Sequence, residues 1–211
     1  DFKQYHLTAR QAMEIDKKYI MDFILFRAKR GIGEFTSSYL NEDLFMLGML
    51  TNYCADPELK NMAQMGIDLL ALEAFNNLNA QGMLCGGSGR TYPDALLNPE
   101  ASVPSQLWDL LVNRNPHPNA NFVLAPFVPD DFILEAVKNR TFPCEVFERK
   151  HLHSMSAWQG NSHDDAWLET LERAGAISKY TYLSAEYGLG AIQHQDPYPE
   201  SNPDDAVYAH H

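Results

Sequence analysis

The chain has 211 residues, enough for one to two domains at about 100–200 residues each and for a sizeable buried core. Hydrophobic residues make up 45%, charged residues 21% and aromatics 11%, a globular composition that argues against a disordered, collagenous or disulfide-scaffold chain. Sixteen Lys and Arg against 28 Asp and Glu leave a formal charge of -12, which repels phosphate backbones and anionic membrane surfaces and argues against nucleic acid as a partner.

The first third reads as three helices with clear punctuation. Thr8 and Gln11 stand in capping-box spacing, and Ala12, Ile15, Tyr19, Phe23 and Phe26 recur at helical steps until Gly31 and Gly33 stop the run. Ser37 or Ser38 suits the cap of a second helix carrying Leu40, Leu44, Leu47, Leu50 and Cys54. Asp56 then suits the N-cap, and Pro57 the first position, of a third helix carrying Leu59, Met62, Met65, Leu69, Leu72, Phe75 and Leu78 before Gly82. The richest apolar stretch, 19–26, is broken by Asp22, so no segment approaches the roughly 18 apolar residues of a membrane span.

From Gln81 to Pro99 the glycines and prolines of a long loop take over. Short helices follow over 105–113 and, after a Pro/Asn-rich link, over 130–138, the latter with Ile133, Ala136 and Val137 inward. Residues 144–153 alternate as a strand does, 162–175 carry a capped helical pattern around Trp167, and 178–192 are rich in Tyr, Thr and Gly, the mark of a small β element. The stretch 193–211 has no periodicity and reads as a loop or connection. Cys54, Cys85 and Cys144 are widely spaced and form no CxxC, which leaves room for one bridge and none for a zinc knuckle. The expected fold is therefore mainly α: antiparallel helix hairpins over 1–142, forming part of an (α/α) toroid, with a mixed α/β segment over 143–211. About three hairpins fit, half of a closed ring of six, so the chain reads as an excerpt of a longer polypeptide.

Residues 35–43, running into Asp56-Pro57-Glu58-Leu59 and followed by Gly86-Gly87-Ser88-Gly89-Arg90-Thr91-Tyr92, resemble the (α/α) toroid of bacterial glycan-degrading enzymes, the heparinase-like polysaccharide lyases and six-hairpin glycosidases. The resemblance covers about residues 7–100. It implies a carbohydrate substrate and a β-rich module after the helices. Where those lyases show an Asn-His pair near the start of a helix, this chain has Asn41-Glu42.

Tyr39, Glu42 and Asp43 stand at i, i+3 and i+4, so a hydroxyl and two carboxylates share one helix face near its N-terminus. Glycoside hydrolysis needs two carboxyl groups about 5–9.5 Å apart across the sugar. Glu42 and Asp43 are neighbours in sequence and fit one catalytic group plus a ligand, with Glu34 or Asp94 as the second acid. Acids in a first helical turn also favour the helix dipole without any chemistry. Arg90 and Tyr92, on the glycine-rich loop, are the pair for β-elimination: an Arg clamps a uronate carboxylate and a Tyr beside that cation loses its proton more easily. Arg90 equally fixes the loop by pairing with a nearby acid. Asn41, Asp94, His153 and Trp158 are cast as substrate contacts, the Trp because pyranose C–H groups stack on aromatic rings.

His151 and His153 share a face of the expected strand, but His-x-His alone is a weak metal signal, so neither a metal nor another cofactor is expected. No Gly-Lys-Ser/Thr follows the glycines, which argues against a phosphate loop. The sequence thus points to an enzyme cleaving a glycan by hydrolysis or β-elimination, secreted or periplasmic on that reading. The alternative is a non-catalytic helical module that binds a glycan or a protein.

Overall fold

The computed structural model describes residues 6–30, 40–85, 102–113, 120–151 and 176–194. Helix α1 (Ala9–Arg30) opens on the expected capping box: the Thr8 hydroxyl accepts from the Gln11 backbone N–H at 3.2 Å, and Gln11 Oε1 accepts from the Thr8 N–H at 2.9 Å. Helix α2 (Leu40–Tyr53) and helix α3 (Pro57–Asn76) are joined by three residues and pack side by side. Asp56 caps α3, accepting from Glu58 N at 2.9 Å and Leu59 N at 3.1 Å, with Pro57 inside the first turn. The residues expected to cap α2, Ser37 and Ser38, lie outside the described residues, as do the helix expected over 162–175 and most of the glycine-rich loop.

Helix α3 is the hub, in contact with α1, α2, helix α4 (Val103–Leu111) and helix α6 (Asp131–Lys138). Its buried face is Leu59, Ala63, Gly66, Ile67, Leu70, Ala71, Ala74 and Phe75, whereas Met65 and Leu72 of the expected stripe are exposed. The correction is one of phase: the buried face keeps Leu59 and Phe75 of the expected stripe but runs through Ala63, Gly66, Ile67, Leu70, Ala71 and Ala74, where small residues let neighbouring helices approach. In α1, Ala12 and Ile24 are buried while Ile15 and Tyr19 are exposed. Phe75 meets Trp108 of α4 edge to face, with ring centroids 6.0 Å apart, at the centre of the core.

Two short helices differ from expectation. Helix α4 starts at Val103 because Ser102, not a later residue, accepts from Ser105 N. Helix α5 (Ala120–Leu124) arises inside the expected link and packs on α2. In α6, Asp130 is the N-cap and Ile133, Leu134 and Val137 are buried, while Ala136 faces out.

Strands β1 (Cys144–His151), β2 (Ala176–Leu183) and β3 (Gly188–His194) form an antiparallel sheet in that order. The chain is thus mainly helical with a small three-stranded sheet toward its C-terminal side. On β2, Lys179, Thr181 and Leu183 are buried and alternate with half-buried Tyr180 and Tyr182. Glu148 lies opposite Lys179 on the inner face, and Phe147 opposite Tyr180 on the outer. Gly188 passes so close to Cys85 that a Cβ there would lie 2.3 Å from the Cys85 Cβ, so this strand start is glycine for lack of room.

Candidate functional site

The first turn of α2 holds Asn41, Glu42 and Asp43. Asn41 and Asp43 are half-buried and Glu42 is exposed. Helical geometry separates the two acids: Glu42 turns to solvent, where it favours the positive end of the helix dipole, and Asp43 lines a cavity of about 360 Å³ between α1, α2 and α3. Apart from Asp43 and Arg27, the walls are apolar side chains such as Phe23, Ile24, Leu47, Leu50 and Leu70, with Gly66 at their base. The Arg27 guanidinium stands 4.9 Å above the centroid of the Phe23 ring, a cation–π arrangement that fixes its stem.

Burial pushes the Asp43 carboxyl above its ordinary value of 3.8; Arg27 opposes the rise, and Glu42 and Glu73 add to it. A carboxyl raised by loss of water is the state a general acid needs, because it holds its proton nearer to neutral pH. Asp43 joins such a shift to a place in the wall of this cavity. Tyr39, Arg90, Tyr92, Asp94, His153 and Trp158 lie outside the described residues. Of the expected site, therefore, only Asn41, Glu42 and Asp43 are described, and their common origin is one helical turn.

A second polar group was not legible in the sequence. Lys179, 1% exposed, donates to Asn77 Oδ1 at 2.5 Å and stands 3.8 Å from Glu148 Oε2. Asn77 Nδ2 in turn donates to Glu148 Oε1 at 3.3 Å. Thr181 Oγ1 is buried beside them and has no hydrogen-bond partner among the described residues. The signal was present but mute: Lys179 sits in phase with Leu183 on an alternating strand, a lysine at an inward position. Arg140 completes this junction, donating to Phe75 O at 3.0 Å and to Asn76 Oδ1 at 3.0 Å.

Cys54, Cys85 and Cys144 are free thiols, and burial pushes the Cys85 thiol up, which lowers its thiolate fraction at neutral pH. No group of three His, Cys, Asp or Glu side chains converges as a metal site among the described residues. No described helix is long and apolar enough to cross a membrane. No protein-family model, no curated protein and no solved structure matches this chain.

Proposed function

We propose that the helices are part of an (α/α) toroid and that the protein cleaves a neutral glycan by hydrolysis, with Asp43 as the general acid at the start of α2. The single observation that carries this reading is the raised Asp43 carboxyl in the wall of the cavity between α1, α2 and α3. The charge of -12 favours a neutral sugar chain over a polyuronate, which a basic groove would hold better. Glu42 faces solvent outside the cavity, and the second carboxyl of the pair comes from elsewhere in the chain.

The test is digestion of a glycan panel, following new reducing ends and the ultraviolet absorbance of unsaturated uronates together. Hydrolysis gives reducing ends without absorbance, and Asp43→Asn then lowers kcat/KM by about 100-fold or more, within the range of a lost general acid. Absorbance with reducing ends means elimination, moves the chemistry to Arg90 and Tyr92, and removes Asp43 from the role of acid.

A second reading is favoured by one observation, the apolar walls of the same cavity. In it the helices bind a protein partner that inserts an apolar side chain there, without catalysis. Silence across a broad glycan panel selects this reading.

A further inference from the structure

The outer face of the sheet is covered by aromatic rings that no core element overlies among the described residues. Phe147 is 75% exposed and Tyr187 53% exposed. The Phe147 and Tyr180 rings lie side by side across β1 and β2, with centroids 5.2 Å apart and planes at 51°. Tyr182 and Tyr187 form a second pair, 6.1 Å apart and closer to parallel at 37°. Tyr180 and Tyr182 are two residues apart on one strand, so the two pairs repeat at about 7 Å along the sheet. Leu189, 66% exposed and in register with Tyr182, extends the second row.

Rings left in water on a pleated surface cost hydration free energy and add nothing to the core, so this face is either covered or used. Its chemistry selects the occupant. Three of the four rings carry a hydroxyl, and Glu145 lies directly opposite Tyr182 in the β1–β2 register. The Tyr180 phenol, like its neighbours, offers an O–H donor beside the Glu145 carboxylate acceptor. Among the described residues, the exposed charges on β1 and in the β2–β3 turn are Glu145, Arg149 and Glu186, two acids to one base, within a chain of net charge -12. A polyanion is repelled by that balance, and a purely apolar partner would leave the hydroxyls and Glu145 unpaired. A neutral sugar chain satisfies both demands: its C–H faces stack on the rings and its hydroxyls bond the phenols and the carboxylate.

We propose that the outer face of the three-stranded sheet, through Phe147, Tyr180, Tyr182 and Tyr187, is a platform that binds neutral polysaccharide at a site separate from the α2 cavity. The sugar class rests on the glycan reading above; the location and its geometry do not. The platform holds the chain of a large substrate while its bonds are met elsewhere, or holds it without cleavage.

The experiment is affinity electrophoresis of the full chain through gels cast with mixed-linkage glucan, xylan, galactomannan or starch, with alginate as the polyanionic control. Retardation is expected in at least one neutral gel and not in alginate. The double variant Phe147→Ala/Tyr187→Ala weakens the apparent Kd at least tenfold, and because both rings are more than half exposed, its circular dichroism and melting match the parent. Asp43→Asn leaves retardation unchanged, and retardation by a parent chain that cleaves no glycan of the panel overturns the hydrolysis reading and not this one. Cleavage with retardation identical in parent and double variant overturns the platform alone. Absence of retardation in every neutral gel also overturns it, as does sedimentation showing a dimer that the double variant converts to monomer, which assigns the face to a second copy of the chain.

Discussion

Helix α3 starts and stops by different kinds of chemistry. At its N-terminus the capping is local, with only a surface pairing to Lys17 of α1 from outside: Asp56 accepts from two orphan N–H groups, Pro57 occupies a position whose N–H would go unused, and Glu58 meets the positive end of the dipole. At its C-terminus the last turn holds no basic residue. The Asn77 and Leu78 N–H groups and the Asn77 side chain meet the carbonyls of the last turn locally, and distant side chains add to them: Arg140, 65 residues on, donates to Phe75 O, and Lys179, 102 residues on, to the side chain of Asn77. The helix start is thus capped within a few residues, whereas the end joins a local cap to side chains brought from far along the chain.

The largest way to break that contrast is Lys179→Ala. It leaves Glu148 and Asn77 facing each other without their cation, and removing one partner of a buried pair costs about 3–5 kcal/mol. Urea unfolding of the full chain measures it directly. Replacing Lys179 and Glu148 together by Met and Leu recovers only the part of the loss due to the uncompensated charge, because Asn77 Oδ1 stays buried without its Lys179 donor. A loss below about 1 kcal/mol in the single variant, the worth of an exposed ion pair, would mean that the junction is open to water and that the C-terminal end of α3 is as locally determined as its start.

The same contrast explains what was legible in the sequence. The caps Thr8 and Asp56, the run of helices and the late β element all rest on neighbours within a few residues, and they are found where the spacing places them. The buried faces were legible only in part. The expected stripe is out of phase with the buried face, so Met65 and Leu72 stand in for Ala63, Gly66, Ala71 and Ala74, whose smallness lets neighbouring helices approach. Of the candidate site, the shared turn of Glu42 and Asp43 was readable, but not that one acid faces water and the other a cavity, since that depends on where α1 lies. Asn77, Glu148 and Lys179 were beyond reach, because a long-range polar junction has no periodicity.

A smaller effect sharpens the local side of the comparison. Asp56→Ala removes the α3 cap and costs about 1 kcal/mol, the usual worth of an N-cap carboxylate. Its salt bridge with Lys17 at 2.7 Å, at the surface, adds little. The Lys17 hydrogen bond, then those from the Leu59 and Glu58 N–H groups, hold the Asp56 carboxyl below its ordinary 3.8. A depressed folded-state value means the carboxylate stabilises the fold above pH 3.8 and that this contribution is lost as pH falls through the lower value. The gap between parent and Asp56→Ala should therefore be full at neutral pH and close in strong acid. A gap that widens in acid would show that some other group does the capping.

Asp43 provides the finest test, since it is a first-turn acid whose carboxyl is raised by burial. Were it acting on the helix dipole alone, ionisation would be favoured and its stability contribution would grow with pH. With burial dominant, the folded chain holds the Asp43 proton more tightly than the unfolded chain does, so between the unfolded value of 3.8 and the raised folded value stability falls as pH rises. Above that window the charged carboxylate remains a fixed burden on the fold, partly relieved by Arg27. Asp43→Asn keeps the shape and removes the charge, so it should melt slightly above the parent at neutral pH, with the difference vanishing below pH 3.8. Melting curves across pH 3–8 read this without any substrate. A variant less stable than the parent at neutral pH would mean that the Asp43 carboxylate is fully solvated or fully paired, and the cavity would lose the one protonatable group that distinguishes an acid catalyst from an apolar pocket.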